Sequence, residues 1–168
     1  MKSRLFLAVI LVTLIVGLTA CSNSSTRISN SISTTATINA DKAWLQWAAD
    51  TNNVLIPDLS NLLMYQPYDQ PTYMAIVQSA AIQLETDCAN YILQGKNLKS
   101  SSSMKTQLAD FKNALSLYSQ GAEALTATSS STPYATRAQT ANSDFQQATT
   151  LMNKANIASL LTATTTSP

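Results

Sequence analysis

Histidine is absent from the 168 residues of this chain, and cysteine and glycine are scarce, with two and three residues. The absence of histidine removes the most common general base and the most common ligand of transition metals. It also excludes the Glu-x-x-His pairs of di-iron helical bundles. Two cysteines are too few for a zinc site, and the sequence contains neither a glycine-rich phosphate loop nor a nucleophile elbow. We therefore predict a protein that is not an enzyme and that binds no metal and no cofactor.

Charge of either sign is also in short supply. The chain contains ten Lys and Arg residues and nine Asp and Glu residues, which gives a formal net charge of +1. Loss of Lys2 and Arg4 with an amino-terminal signal would change this charge to about −1. Proteins that bind nucleic acid do so largely through clustered cationic side chains. No such cluster occurs, and we predict no nucleic-acid partner.

The amino-terminal segment combines positive charge with a short apolar run. Lys2 and Arg4 precede residues 6–18, which are almost wholly apolar. This order is typical of a secretory signal. The run is well below the roughly 20 apolar residues that span a bilayer as a helix. The segment therefore reads as an export signal and not as a membrane anchor.

The tetrad Leu18-Thr19-Ala20-Cys21 ends this apolar run and resembles the lipobox of prokaryotic lipoproteins. The resemblance implies that the signal peptide, residues 1–20, is removed and that the Cys21 sulfur receives a diacylglycerol. The new amino terminus can then be acylated by a fatty acid such as palmitate. Two or three such chains anchor firmly because each buried methylene contributes about 0.8 kcal/mol. The alternative is a plain secretory signal with an incidental cysteine.

The lipobox resemblance also implies a location. It places the protein outside the cytoplasm, anchored by lipid to the cell membrane. In a Gram-negative cell, Ser22 after the cysteine looks like the pattern that is sorted to the outer membrane, on its periplasmic side. The envelope type itself is left open by the sequence.

Composition divides the mature chain into three parts. Residues 21–40 are dominated by Ser, Thr, Asn and Ala, and they bury too little apolar surface to offset the entropy of ordering. We expect them to form a flexible tether after the lipidated cysteine, and residues 163–168 to form a disordered tail for the same reason. Residues 41–162 form the predicted folded domain.

Four segments of that domain repeat apolar residues at alternating spacings of three and four, the period of one helix face. They are residues 41–66, 72–94, 103–126 and 133–161. Their similar lengths and short connections predict an all-α fold, an antiparallel up-down four-helix bundle. The stripe continues on both sides of Pro57, so we expect one kinked helix there. Cys88 falls on the buried stripe, and the alanines of the fourth stripe predict close approach by that helix.

Tyrosine is concentrated around the first connection and the start of the fourth helix. The residues concerned are Tyr65, Tyr68, Tyr73 and Tyr134. The predicted topology gathers them at the end of the bundle opposite the tether. Tyrosine suits recognition because it joins a large apolar ring to a hydrogen-bonding tip. These residues are candidates for a partner-binding surface, and the alternative is that they cap the core.

Three further features bear on packing and chemistry. Asn52 interrupts an apolar stripe, and it marks either a buried polar residue that fixes helix register or a small polar pocket beside Pro57. One of Trp44 and Trp47 is expected to plug the base of the bundle, and for the other, contact with lipid headgroups is an option that the tether leaves open. Glu85 and Asp87 lie two residues apart on a helix, so they point to different faces and are not expected to share a proton.

Two functions remain compatible with the sequence. The preferred one is a noncatalytic interaction, spacer or scaffold module of the cell envelope, with an envelope protein as partner. The alternative is a ligand-binding sensory or solute-capture domain that works with a membrane partner. A tightly filled core favours the first function, and a cavity with converging polar groups favours the second.

Overall fold

The computed structural model describes residues 31–128 and 131–160, with side chains from residue 36 onward. Its four helices are α1 (Ser31–Leu63), α2 (Met74–Gly95), α3 (Lys105–Thr126) and α4 (Tyr134–Ala155). Short 3-10 turns, Pro71–Tyr73 and Ser102–Met104, precede α2 and α3. The described ranges contain no strand, and the predicted antiparallel up-down four-helix bundle is confirmed. The signal peptide, Cys21 and residues 163–168 lie outside the described residues.

Small residues bring α3 and α4 closer together than any other pair of helices. Gly121 and Ala122 of α3 and Ala141 and Ala148 of α4 are buried along this contact. A Cβ atom at Gly121 would lie 2.5 Å from a ring carbon of Phe145, so the ring packs directly on the α3 backbone. The close approach predicted from the alanines of the fourth helix is therefore confirmed.

The first helix is one uninterrupted element that passes through Pro57, as predicted. Its start was predicted wrongly, because α1 begins at Ser31 and takes in half of the expected tether. Residues 36–39 are exposed, so their helicity rests mainly on backbone hydrogen bonds that extend an already formed helix. Residues 31–40 contain neither Pro nor Gly, and nothing in them stops that extension.

The fourth helix ends at Ala155, six residues before its predicted end. Asn156 adopts a left-handed conformation with φ 47° and ψ 46°, and its N–H bonds to the carbonyl of Met152. Asn is one of the few residues that take this conformation at a helix end. Residues 157–160 are helical again and Ile157 is buried, so the apolar stripe continues after the interruption.

The base of the bundle is the end where α1 enters it and where α2 connects to α3. Trp44 and Trp47 are both buried there, which excludes the alternative that one indole reaches the lipid headgroups. The Trp47 ring meets Phe111 edge to face at 5.2 Å between centroids, and it covers Gly95 so closely that a Cβ there would overlap it. Neither indole N–H has a hydrogen-bond partner among the described residues. Both rings therefore act as apolar filling.

Polar side chains attach the connection between α2 and α3 to the base. The Asp41 carboxylate accepts a 2.7 Å hydrogen bond from the backbone N–H of Ser101. The Lys112 ammonium donates to the carbonyl of Leu98 at 3.2 Å, and burial lowers the pKa of Lys112.

Within the described part of the chain, no helix is long and apolar enough to cross a membrane.

Candidate functional site

A cleft opens at the other end of the bundle, which we call the tip. The connection between α1 and α2 forms one wall, and the first turns of α4 form the other. The cleft has a volume of about 370 Å³ and is lined by Gln66, Pro67, Tyr68, Asp69, Ala135, Ala138, Gln139 and Asn142. The peptide bond between Gln66 and Pro67 is cis. The lining therefore combines three amides, a carboxylate and a phenol with small apolar surfaces.

Tyr68 fixes the wall of the cleft to the core. Its side chain is buried, and its ring meets Phe145 of α4 at right angles with 6.0 Å between centroids. Burial raises the pKa of the Tyr68 phenol to about 12, although a hydrogen bond from Gln66 opposes the rise. The Gln66 amide donates that bond at 3.2 Å. Tyr68 is consequently a neutral structural anchor whose oxygen remains a hydrogen-bonding group.

An amide pair joins the two walls of the cleft. The side-chain N–H of Gln66 donates to the Asn142 oxygen at 2.7 Å. Both Gln66 and Gln139 are exposed, and Asn142 is half-buried. Amides both donate and accept hydrogen bonds. An exposed amide pair can exchange its mutual bond for bonds to a ligand, so the arrangement suits recognition of a neutral polar group such as a peptide backbone.

Tyr134 stands beside the cleft at the start of α4. Arg137 lies over its ring at 5.1 Å from the centroid. Burial raises the pKa of Tyr134, the Arg137 charge lowers it and the Asp69 carboxylate raises it. The phenol oxygen is buried and has no hydrogen-bond partner among the described residues. Tyr134 thus lies within electrostatic reach of Asp69, the charged residue of the cleft.

Arg137 has a structural task at the same place. Its guanidinium donates to the carbonyls of Ala124 and Ala127 at the end of α3. The last carbonyls of a helix lack partners within the helix, and a cation there also interacts favourably with the helix dipole. Arg137 therefore holds the end of α3 against the start of α4.

The four candidate tyrosines all lie at the tip, but they do not form one surface. Tyr65 and Tyr73 pair with each other at 5.5 Å between ring centroids. Tyr73 keeps 41% of its surface exposed, whereas Tyr65 is half-buried against the core. Tyr68 lines the cleft and Tyr134 lies next to it. The pair is therefore a second aromatic feature outside the cleft lining.

Asn52 is half-buried in α1. The fully buried polar residue of this region is its neighbour Thr51, whose hydroxyl donates to the carbonyl of Trp47 at 2.7 Å. This bond satisfies the hydroxyl within its own helix. The role of a buried polar residue, which the sequence suggested for Asn52, falls to Thr51, and Asn52 lies outside the lining of the tip cleft.

Two carboxyl groups, Asp58 of α1 and Asp87 of α2, lie close enough to interact, an arrangement that was not predicted from the sequence. Asp58 lies close to Asp87, while Glu85 turns to α3 and accepts a 3.0 Å hydrogen bond from Thr126. Burial raises the pKa of Asp58, and the neighbouring Asp87 raises it further. The expected separation of Glu85 from Asp87 agrees with this geometry. The sequence did contain a signal for this pair. Asp58 and Asp87 each immediately precede a core-facing residue, and the helices that carry them are neighbours.

Cys88 follows Asp87 and is fully buried in the core, as predicted. Burial raises the pKa of the Cys88 thiol to about 12, and the negative charges of Asp87 and Asp58 add to the rise. The thiolate is the reactive form of cysteine. Cys88 therefore behaves as a small apolar core residue.

The described side chains include no group of three or more His, Cys, Asp or Glu residues placed to hold a metal ion. Among the described residues, the tip cleft is the candidate site, because several polar side chains converge there. Comparison of the chain with protein families, with curated proteins and with solved structures finds no match.

Proposed function

We propose that this chain is a lipid-anchored, extracytoplasmic protein whose helical bundle acts as a noncatalytic interaction, spacer or scaffold module of the cell envelope. The observation that supports it best is the position of the amide-lined cleft. It lies at the tip, opposite the end where α1 enters the bundle, and α1 is the helix nearest in sequence to Cys21. An anchor at Cys21 would leave the cleft on the side away from the membrane, where a partner has access.

The length of α1 supports the spacer part of this proposal. Its 33 residues correspond to about 50 Å at roughly 1.5 Å per residue. About ten of them precede Asp41, which attaches α1 to the base. This stretch would hold the bundle about 15 Å from the start of the helix.

Anchoring is tested by replacing the proposed lipid attachment site, in its native cell. Cells that express the chain are grown with radiolabelled palmitate, and the protein is partitioned between detergent and water. We expect label and detergent partitioning for the natural chain and loss of both for Cys21→Ser. Cys88→Ser is the matched control, because its thiol is buried, and it should keep the label. An unlabelled natural chain in the aqueous phase would refute the anchor.

Partner binding at the tip is tested by site-specific photocrosslinking in intact cells. A photoreactive residue replaces Gln139 in the cleft or, as a control, Gln146, an exposed residue seven positions further along α4. We expect a discrete protein adduct from position 139 and none from position 146. Asn142→Leu should abolish the adduct by removing the amide pair. Equal adducts from both positions, or none from either, would contradict binding at the tip.

The cleft volume favours one second candidate, a ligand-binding domain. At about 370 Å³ the cleft falls at the lower end of the roughly 300 to 1,000 Å³ of small-molecule sites. Native mass spectrometry of the chain isolated from its cells separates the two functions. A small molecule that is retained by the natural chain and lost in Asn142→Leu supports ligand capture, whereas a ligand-free chain with a protein adduct at position 139 supports the interaction module.

A further inference from the structure

The outer face of α2 is exposed although it carries large apolar side chains. It consists of Ala75, Ser79, Ile82, Thr86, Ala89 and Leu93, all of them exposed. Ile82 leaves 56% and Leu93 leaves 72% of its surface in contact with solvent. Surface helices normally place charged and polar residues opposite their buried face. This face therefore lacks the usual composition of a solvated helix surface.

None of the exposed residues of α2 is charged. Its two acidic residues, Glu85 and Asp87, are half-buried and lie toward neighbouring helices. Each of the other helices exposes charge, with Lys42 on α1, Lys105 on α3 and Lys154 on α4. The difference means that α2 alone presents an uncharged surface to whatever approaches it.

The spacing of the outer face is that of a helix that packs against another helix. Its members follow one another at intervals of four, three, four, three and four residues. This alternation keeps one stripe facing a partner helix at a crossing angle near 20°. Residues on the opposite side, among them Val77, Leu84 and Cys88, already pack into the bundle. The outer stripe has no partner helix within the described residues.

The stripe also matches itself when reversed. Its intervals read the same in both directions about Leu84, so two antiparallel copies would pair Ala75 with Leu93, Ser79 with Ala89, and Ile82 with Thr86. Ala75 and Thr86 are smaller than their partners, and Ser79 and Ala89 are similar in size. Side chains of one copy can therefore fit between those of the other. A twofold interface requires this kind of self-complementarity.

We propose that the outer face of α2 docks a second copy of this chain, with the two α2 helices antiparallel about a twofold axis near Leu84. No exposed charge of one helix then meets a like charge of the other. Glu85, which flanks the stripe near the axis, is held toward α3 by Thr126. The surface is separate from the tip cleft, so the proposal does not depend on the function proposed above.

The size of the surface sets the expected strength of the dimer. The 22 residues of α2 form a helix of about 33 Å, and one helix pair of this length buries less than the roughly 800 Å² per partner of a standard interface. We therefore expect a reversible dimer that dissociates in the micromolar range.

Sedimentation of the full chain in mild detergent tests the dimer, with Cys21→Ser in every variant so that lipid has no part in the result. We expect concentration-dependent dimerisation, weakened about tenfold or more by Ile82→Glu or Leu93→Glu because a charge enters the apolar stripe. Met64→Glu is the matched control, since Met64 is 71% exposed but lies at the tip. Circular dichroism checks that each variant is folded. A monomer at every concentration, or equal weakening by Met64→Glu, would overturn the proposal.

Crosslinking tests the antiparallel register. Chains with Ala75→Cys and chains with Leu93→Cys are mixed and treated with a short thiol crosslinker, while buried Cys88 stays unreactive. We expect the mixed dimer to crosslink and each variant alone to crosslink far less. Crosslinking of Ala75→Cys chains to one another at least as readily would indicate parallel helices and overturn the antiparallel arrangement.

Discussion

At the base of the bundle two indole rings fill the space between helices, whereas at the tip a cleft lined by amides separates the first connection from α4. Both ends are rich in aromatic residues. At the base the rings of Trp44 and Trp47 are buried without partners for their N–H groups. At the tip Tyr68 is buried to the same extent, but its oxygen accepts a hydrogen bond from an exposed amide.

The polar groups of the two ends are also used differently. At the base, Asp41 and Lys112 bond to backbone atoms of the connection between α2 and α3. At the tip, Gln66 and Asn142 bond to each other across an open cleft. A bond to an otherwise unpaired backbone group is costly to give up, whereas an amide pair with one exposed and one half-buried member can exchange its mutual bond for a bond to water or a ligand. The comparison teaches that the base closes the fold and that the tip keeps hydrogen-bonding capacity available.

Removal of a base ring should have the largest effect on stability. We expect Trp44→Ala to lower the free energy of unfolding by about 3–5 kcal/mol, since a fully buried ring leaves a cavity. Tyr73→Ala, at the tip, should cost only about 1–2 kcal/mol because 41% of its surface is already exposed to solvent. Urea denaturation measures both. Similar losses of unfolding free energy in the two variants would contradict the conclusion that the base, more than the tip, stabilises the fold.

The end of α3 supplies the next largest effect. Arg137→Ala should lower the free energy of unfolding by about 2 kcal/mol, because the carbonyls of Ala124 and Ala127 lose a charged donor. Lys154→Ala, an exposed cation on the same helix, should change stability by less than about 0.5 kcal/mol. Thermal unfolding of both variants checks the difference. An Arg137→Ala variant as stable as Lys154→Ala would show that the guanidinium does not hold these two helices together.

Tight packing at the base can be tested by adding a single methyl group. In an exposed helix Gly→Ala would gain up to about 1 kcal/mol. Here the new methyl would overlap the Trp47 ring, and overpacking costs about 1–3 kcal/mol. We expect Gly95→Ala to destabilise by about 1 kcal/mol and Trp47→Leu to remove that cost when the two are combined. A double-mutant cycle measured by urea denaturation gives the coupling, and additive effects would refute direct contact.

Much of this architecture follows from apolar spacing, because a helix must bury one face whatever its neighbours are. The stripe of α2 through Val77, Leu84 and Cys88 identified its core face, and the alanines of α4 identified the closest contact. Composition misjudged residues 31–40, since a formed helix extends through Ser and Thr until something stops it. Spacing alone also did not decide whether the second tryptophan lies in the core or against lipid. The space beside Gly95, which has no side chain, accommodates the Trp47 ring in the core.

The candidate site was less accessible to sequence reasoning. The tyrosines could be placed at one end because each lies near a predicted helix boundary. Their grouping could not be predicted, since the contact of Gln66 with Asn142 joins residues 76 positions apart. The Asp58 and Asp87 pair was missed for a similar reason. It depends on the rotation of α1 against α2, and rotation is decided by packing between helices and not by the period of either one.

The Asp58 and Asp87 pair lies between the two ends and should give a smaller effect with a distinctive pH dependence. Burial and the Asp87 charge raise the pKa of Asp58 above the usual aspartate value of 3.8. The folded chain therefore binds this proton more tightly than the unfolded chain. The contribution of Asp58 to stability is complete below the unfolded pKa and is lost as the pH rises through the folded pKa. Acidification from neutral pH towards pH 4 should therefore strengthen this contribution.

Asp58→Asn should remove that dependence, and Asp87→Asn should weaken it, because Asp87 adds only the smaller part of the shift and burial the larger. Neither carboxylate can donate a hydrogen bond to the other unless one is protonated, so Asp58→Asn and Asp87→Asn should each raise the free energy of unfolding at pH 7. In each variant the free energy of unfolding should also decline less steeply as the pH rises above the unfolded pKa. Asp144, whose pKa burial also raises, should supply part of the slope that remains, and Asp144→Asn should reduce it separately. Urea denaturation across this pH range measures the slopes. Unchanged slopes in both Asp58→Asn and Asp87→Asn would mean that the two carboxylates do not interact, and the contact between α1 and α2 would then owe its stability to apolar packing alone.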